Sequence, residues 1–175
     1  HSRKEINDIL DHYAEAGVDN ILALRGDTPI GGNVTSDFAY AADLVTHIRA
    51  YEEKRFGICV AGFPEGHPET PNRLVQLDHL KTKVDAGADW ICSQLFFDNA
   101  AFLDWCERCE LYNVHIPIIA GIMPITSITS MKRMAELAGG TNFPAKLLKR
   151  LYKFQDDPKS VKQIGIQWAT EQCSD

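Results

Sequence analysis

The sequence lacks the long apolar runs and the excess of positive charge that would direct a protein to membranes or nucleic acids. No stretch approaches the roughly 20 consecutive apolar residues that a membrane-spanning helix needs, and no signal-peptide pattern opens the chain. The 24 acidic residues outnumber the 18 lysines and arginines, so the formal net charge is −6. This balance argues against a surface that binds nucleic acid or an anionic membrane, and we expect neither among the partners.

The cysteines show no disulfide or metal pattern. The five cysteines are an odd number, and nothing points to secretion, so we expect reduced thiols in a cytoplasmic protein. Cys106 and Cys109 form a C-x-x-C pair inside an amphipathic helical pattern, without the second pair that a zinc site commonly has. Cys59 and Cys92 lie in apolar segments and are predicted to be small core residues.

What the chain does contain is a regular alternation of short apolar segments and amphipathic helical patterns. The predicted strands cover residues 20–24, 56–62, 90–96 and 116–122. Their apolar runs do not alternate with polar residues, which is typical of parallel strands buried on both faces. Apolar periodicity and capping residues predict helices at residues 1–16, 38–51, 72–86, 99–112, 127–138, 144–152 and 159–173.

This alternation leaves two architectures, a closed barrel and an open doubly wound sheet. Residues 16–19 (Ala-Gly-Val-Asp) are echoed by residues 86–89 (Ala-Gly-Ala-Asp), each a glycine-capped helix end before a strand. Polar residues follow the carboxyl ends of successive strands, as in a (β/α)₈ TIM barrel. No G-x-G-x-x-G motif follows a strand, as a dinucleotide-binding open sheet would require.

The length of the chain bears on how much of a barrel it holds. A whole barrel needs about 250 residues, and the chain opens directly in a helical pattern. We therefore predict an α/β partial TIM-barrel catalytic domain over residues 1–175, with about four to five βα units. The N-terminal strands and the final strand are expected to be absent, so we expect a piece of a longer protein.

Polar clusters follow the first two strands. In Arg25-Gly26-Asp27 the glycine allows a ligand to approach the backbone and the carboxylate can hold a cation, although an ordinary turn with a salt bridge explains the same residues. In residues 62–69 the flanking prolines stiffen the loop around His67. The alternating Glu65, His67 and Glu69 also allow a metal site, but a surface loop is favoured and we predict no metal.

Two further polar features lie near the strands. Gln76, His79 and Lys83 recur at helical spacing on one face, beside an apolar stripe; that face is able to hold a phosphate, but a solvated helix face is favoured on spacing alone. Gln94 lies toward the carboxyl end of an apolar strand, where a buried amide needs partners. For Gln94 a ligand contact is favoured over a structural hydrogen bond.

Five ordered segments resemble the methylenetetrahydrofolate reductase family. They are residues 20–27 (NILALRGD), 60–69 (VAGFPEGHPE), 81–89 (KTKVDAGAD), 93–98 (SQLFFD) and 117–125 (PIIAGIMPI). The resemblance implies a TIM barrel with noncovalent FAD, which NAD(P)H reduces. 5,10-Methylenetetrahydrofolate then binds, opens to a 5-iminium cation and accepts the hydride, giving 5-methyltetrahydrofolate, a step of one-carbon and methionine metabolism.

The resemblance also implies roles for individual residues. Asp27 is the expected catalytic residue, since its negative charge favours the folate cation. The substrate-binding positions are Asp27, Gln94 and Ser130. The FAD-binding positions are Leu24, Arg25, Gly26, Asp27, Tyr40, Ala41, Phe63, His67, Gln76, His79, Thr82 and Lys83. The family's general-acid glutamate lies outside this chain, so we expect the chain alone to be inactive.

Three positions depart from the family pattern, and two other functional classes stay open. Phe63 stands where many members carry Tyr, Gln76 where an acidic residue is usual (a register shift would place Asp78 there), and Thr82 where some relatives are more basic. One alternative is a TIM-barrel enzyme that binds a pterin or phosphosugar without flavin. The other is a non-catalytic piece that associates with partner chains. The family resemblance further implies a homo-oligomer, and the choice between NADH and NADPH is open.

Overall fold

The computed structural model describes residues 1–26, 36–53 and 55–175. Helices and strands alternate along most of the chain, as the periodicity predicts. They are α1 (Arg3–Glu15), β1 (Asn20–Ala23), α2 (Ala41–Ala50), β2 (Gly57–Gly62), α3 (Arg73–Asp85), β3 (Trp90–Ser93), α4 (Asn99–Leu111), β4 (Ile118–Ile119), α5 (Ile128–Leu137), α6 (Ala145–Lys153) and α7 (Pro158–Ser174). None of the helices in these ranges is long and apolar enough to cross a membrane.

The strands form one four-stranded sheet in the order β1-β2-β3-β4. Asn20 pairs with Gly57 and Ile91 with Ile118, both in parallel register. Successive residues of β2 are buried, including Ile58 and Val60, as expected for a parallel strand covered on both faces. Each strand is followed by a helix, so the described residues hold four βα units and confirm the lower of the predicted numbers.

Contacts divide the chain into two compact units. The first consists of His1–Gly62, Asp78–Cys92 and Asn113–Ile119. Its buried side chains come from α2 and from the strands, including Val45, Ile48 and Ile91. The predicted glycine caps are confirmed here, because Gly17 and Gly87 have φ of +74° and +112°, where an L side chain is strained.

Arg49 of α2 ties the turn before β3 to the first unit. Its guanidinium donates to Phe56 O and Gly87 O at 3.0 Å each, and its Nη2 lies 2.5 Å from the Asp89 carboxylate. That carboxylate also accepts from the Ile58 N–H at 2.7 Å. A Cβ on Gly87 would lie 3.1 Å from the Arg49 Nε, so both the backbone conformation and the lack of space favour glycine in the turn of residues 86–89.

The second unit consists of Phe63–Leu77, Ser93–Tyr112 and Ala120–Asp175. Its core joins α5, α6 and α7 around Phe97, Ile125, Met131, Leu147, Leu151, Val161 and Ile164. Asp157 caps α7 by accepting from the Lys159 N–H, and Pro158 stands at its first position, as predicted. These three helices therefore bury one apolar cluster between them.

Several predicted boundaries and faces were wrong. β3 ends at Ser93 rather than at residue 96, and β4 covers two residues rather than 116–122, because the backbone beyond each leaves the ladder. In α4 the buried face carries Trp105 and Cys109, whereas Leu103 is 54% exposed. Helical periodicity places Leu103, Tyr13 and Ala135 on the apolar stripes of their helices and predicts burial for all three, yet Tyr13 and Ala135 are exposed as well. Burial raises the pKa of Cys109 to about 12, which fits a structural role for the C-x-x-C.

Candidate active site

The segment after β1 is exposed and contains a glycine in the left-handed region of backbone conformation. Leu24, Arg25 and Gly26 are all exposed. Gly26 has a φ of +77°, in the left-handed region that favours glycine. The backbone conformation at this position therefore explains why the motif carries a glycine. Asp27, the predicted catalytic residue, lies outside the described residues.

The loop after β2 is held by its own backbone. Gly66 N–H donates to Phe63 O at 3.1 Å and Thr70 N–H donates to His67 O at 3.0 Å. Gly66 has a φ of +107°. The Gln76 amide of α3 donates to Thr70 O and, at 3.5 Å, to His67 O. Gln76 is thus turned toward the loop and fixes its shape.

These contacts determine which atom His67 presents. The His67 Nδ1 accepts from the Glu69 N–H at 3.2 Å. A neutral imidazole carries one proton, so that proton is assigned to Nε2. The Phe63 ring lies edge-to-face with the imidazole at 4.6 Å between centroids, so ring packing as well as a hydrogen bond orients His67. The loop therefore presents a single oriented N–H donor.

Glu65 joins this loop to the segment before α6. Its Oε2 accepts from the Asn142 N–H at 2.8 Å, and its buried Oε1 has no hydrogen-bond partner among the described residues. Burial raises the pKa of Glu65. Sequence reasoning weighed this carboxylate only as a metal ligand. Across residues 1–26, 36–53 and 55–175, no group of three His, Cys, Asp or Glu side chains is placed to hold a metal.

The polar residues of α3 differ in burial. Lys83 is half-buried and its Nζ donates to Ala61 O of β2 at 2.5 Å. Burial lowers the pKa of Lys83 to about 8. His79 and Thr82 are exposed, and the Thr82 hydroxyl donates to Asp78 O of its own helix at 2.8 Å. Lys83 is therefore the residue of this set that turns inward.

Tyr40 and Ala41 mark the start of α2. Tyr40 occupies the N-cap position, and its N–H donates to the Asp43 carboxylate at 2.9 Å. Its side chain is 66% exposed, so the ring is open to a ligand. Ala41, the first helical residue, is half-buried.

Gln94 follows β3 directly and is half-buried. Its Oε1 accepts from the Leu95 N–H at 2.9 Å, so the amide oxygen is engaged by the backbone. This hydrogen bond leaves the NH₂ group of the side chain to make other contacts, and a ligand contact of Gln94 stays a prediction. The preceding residue, Ser93, is 5% exposed, and its hydroxyl accepts from the Gly121 N–H at 2.8 Å. The sequence analysis did not predict a role for this hydroxyl.

Ser130 belongs to the capping box of α5. Its Oγ accepts from the Ser127 N–H at 3.0 Å and donates to Ser127 O at 2.8 Å. The hydroxyl thus satisfies the first turn of the helix. A role toward folate stays a prediction for this residue.

The structure brings together part of the predicted set. In the second unit His67 contacts both the Phe63 ring and the Gln76 amide, and Gln94 and Ser130 lie elsewhere in that unit. The first unit holds Leu24, Arg25, Gly26, Tyr40, Ala41, His79, Thr82 and Lys83. Two residues were missed: Glu65 as a loop anchor and Ser93 as a buried hydroxyl. The proximity of Ser93 to Gln94 was the signal available for it.

Comparisons with known proteins agree on one family. A family model described as Methylenetetrahydrofolate reductase matches residues 1–175. The chain is 41% identical over 174 residues to methylenetetrahydrofolate reductase 2 of Saccharomyces cerevisiae. It is 42% identical over 183 residues to methylenetetrahydrofolate reductase (NADH) 1 of Arabidopsis thaliana. These alignments cover 96% and 97% of this chain but 29% and 31% of the relatives, so the chain spans less than a third of their length.

A solved structure shows a related fold. It is an uncharacterized protein from Clostridium thermocellum that binds two copies of 5-methyl-5,6,7,8-tetrahydrofolic acid. The TM-score is 0.52 with 17% identity, over 84% of this chain and 55% of that protein. At this identity the likeness supports the fold and carries no statement about the ligand.

Proposed function

The chain belongs to the methylenetetrahydrofolate reductase family, and from that premise we propose that the full-length protein carrying it reduces 5,10-methylenetetrahydrofolate to 5-methyltetrahydrofolate. NAD(P)H is the proposed hydride source and FAD the proposed cofactor. The family is a TIM barrel, and the four parallel βα units are part of one. The activity belongs to the whole protein, since the chain spans less than a third of its relatives.

One observation carries the proposal. Motifs that resemble the family's site follow the carboxyl ends of β1, β2 and β3, which is where TIM-barrel enzymes place their chemistry. After β1 the backbone has a positive-φ glycine, after β2 it holds an oriented His67, and after β3 it holds Gln94. The first two features suit a bound ring system, and the third suits a polar ligand.

The described residues fit FAD. Its pyrophosphate calls for a cation, and the half-buried Lys83 ammonium, which donates to Ala61 O near the end of β2, offers one. The His67 Nε2–H, the open backbone at Gly26 and the exposed Tyr40 ring offer a donor, close approach and a stacking surface. FAD, when bound, supplies a ring that takes up and passes on a hydride.

The chain's own residues would act on the folate by charge and hydrogen bonding. We propose that the Asp27 carboxylate favours the 5-iminium cation electrostatically, because a fixed negative charge lowers the free energy of a developing positive one. The Gln94 NH₂ would donate to an acceptor oxygen of folate and, in turn, of the nicotinamide. Ser130 is proposed on the folate side, with its capping hydrogen bonds retained.

The partners follow from the same proposal. They are a nicotinamide nucleotide and a reduced folate, with a second copy of the protein as the expected associate. The Arabidopsis relative is named as an NADH enzyme; for this protein the proposal covers either nucleotide. A cytoplasmic location is proposed from the free cysteines.

The test is a steady-state assay of the purified full-length protein together with its flavin content. NAD(P)H oxidation that depends on methylenetetrahydrofolate, in a preparation carrying FAD, is expected. We expect His67→Ala to lose FAD during purification and the exposed His115→Ala to retain it. Folate-dependent activity without any flavin would support the flavin-free barrel enzyme instead, and absence of both would support the non-catalytic piece.

A further inference from the structure

The backbone just beyond β3 is held by side chains rather than by the sheet. Residues 94–97, here called the 94–97 segment, follow the last strand residue, Ser93. Each carbonyl of the segment accepts a side-chain hydrogen bond. The donors are Ser93 Oγ to Gln94 O at 3.0 Å, Thr141 Oγ1 to Leu95 O at 3.2 Å, Gln172 Nε2 to Phe96 O at 3.1 Å and Trp168 Nε1 to Phe97 O at 3.0 Å.

Burial explains why these carbonyls need partners. Phe96 and Phe97 are each 2% exposed, and a buried carbonyl without a hydrogen bond is costly. Three of the donors come from residues 46 to 76 positions away along the chain, on the segment before α6 and on α7. The path of the 94–97 segment is therefore specified by long-range side-chain contacts within the second unit.

The same segment orients Gln94. Its Oε1 accepts from the Leu95 N–H, so the direction of the amide follows the direction of that peptide group. On the other side, Gly121 N–H donates to Ser93 Oγ, and a Cβ at Gly121 would lie 2.3 Å from Ser93 O. The backbone at Gln94 is thus fixed from both sides.

We propose that Thr141, Trp168 and Gln172 are positioning residues for Gln94. They hold the 94–97 segment so that the Gln94 NH₂ group is presented in one orientation to folate and to the nicotinamide. The inference rests on the proposed function, because that function makes Gln94 a ligand contact. It adds Thr141, Trp168 and Gln172 to the residues that set ligand affinity, although none of the three supplies the contact itself.

The first experiment removes one donor with little change of shape. Thr141→Val in the full-length holoenzyme deletes the hydroxyl that holds Leu95 O. The loss of one hydrogen bond predicts a rise of about two- to tenfold in KM for folate and for the nicotinamide nucleotide, with FAD content unchanged. Thr141→Ser should restore the wild-type KM. Thr170→Val is the matched control, because the exposed Thr170 hydroxyl donates only to Ile166 O within α7.

A double-mutant cycle separates positioning from general destabilisation. If Thr141 acts through Gln94, Thr141→Val changes KM in the wild-type background and has no further effect in a Gln94→Ala background. The same pattern is expected for Trp168→Phe, which keeps an aromatic ring and removes the donor. Two results would overturn the proposal. One is a KM increase from Thr141→Val that is just as large in the Gln94→Ala background, and the other is an equal KM for Thr141→Val and Thr170→Val.

One outcome distinguishes this proposal from the proposed function. If Gln94→Ala leaves both KM values unchanged, the ligand role of Gln94 is refuted. The holding of the 94–97 segment is then tested by amide hydrogen exchange at Leu95. Exchange that is about tenfold faster in Thr141→Val upholds the positioning of this backbone, and unchanged exchange overturns it.

Discussion

Lys83 shows at the residue scale how a proposed binding position lowers the free energy of unfolding. Its ammonium is half-buried against Ala61 O, and burial lowers the pKa from 10.5 to about 8. Between pH 8 and 10.5 the unfolded chain therefore binds more protons at this position than the folded chain. The free energy of unfolding therefore rises with pH in that window. Below pH 8 the buried ammonium lowers the free energy of unfolding by its full amount, at most about 3 kcal/mol.

Replacing Lys83 should exchange binding for stability. Lys83→Met is expected to raise the midpoint of thermal unfolding at pH 7 and to weaken retention of FAD. Its stability advantage should shrink as the pH is raised from 8 to 10.5. Thermal unfolding as a function of pH measures this, with the exposed Lys132→Met as control. A Lys83→Met protein less stable than the wild type at pH 7 would show that the ammonium is net stabilising.

Asp27 carries the second prediction at this scale. Asp27→Asn should lower the rate of folate reduction by about 100-fold, because a fixed charge aimed at the developing cation is removed. Oxidation of NAD(P)H with an artificial electron acceptor should change much less, since no folate cation forms there. Asp156→Asn, at an exposed position of the second unit, is the control. Equal loss in the two assays would contradict the role assigned to Asp27.

At the scale of elements, α7 packs directly on backbone. A Cβ at Gly165 would lie 1.8 Å from Ile125 O and 2.7 Å from Ile125 C, whereas at Gly17 it would meet nothing within 4 Å. Gly165→Ala should therefore lower the free energy of unfolding by about 3 kcal/mol or more, through overpacking. Gly17→Ala should cost about 1 kcal/mol, through its φ of +74° alone.

Urea unfolding of the two glycine variants, followed by circular dichroism, compares these costs. We expect the two urea midpoints to differ clearly, with the lower midpoint for Gly165→Ala. Similar midpoints for the two variants would mean that α7 moves away from Ile125 at little cost. That result would also weaken the view that Trp168 and Gln172 of the same helix hold a fixed backbone.

Element types were predictable from the sequence, and their ends were less so. Apolar runs and helical periodicity are local signals, and they placed all four strands and all seven α-helices that the described residues contain. β3 was extended too far because Leu95 and Phe96 continue its apolar run. The carbonyls of the 94–97 segment instead accept hydrogen bonds from the side chains of Thr141, Gln172 and Trp168. These donors lie far away along the chain, so a short stretch of sequence does not reveal them.

The candidate site was likewise predictable only in part from the sequence. The resemblance located His67 and Gln94 through their motifs, but it gave no atoms or partners. Glu65 bonds to Asn142, which is 77 positions away, so its anchoring role has no local signature. The direction of the Gln76 amide, toward Thr70 O rather than outward, likewise depends on how the loop folds back.

At the scale of the whole molecule, the edge strands predict how the 175-residue chain behaves by itself. β1 and β4 are the ends of the sheet order, and Leu22, Leu24 and Ile119 are 49%, 52% and 53% exposed. Exposed apolar edge strands promote association. We expect the 175-residue chain alone to self-associate in light scattering, and Leu22→Lys with Ile119→Lys to reduce it. A monodisperse wild-type monomer would contradict this expectation.

The chain's family, its parallel βα units and its strand-end polar groups all support one activity for the full-length protein. The most direct test follows the visible spectrum of that protein under anaerobic conditions. We expect a yellow protein whose flavin absorbance is bleached by NAD(P)H. The absorbance should return when 5,10-methylenetetrahydrofolate is added, and 5-methyltetrahydrofolate should be the product. A colourless protein, or one whose bleached spectrum the folate leaves unchanged, would contradict it.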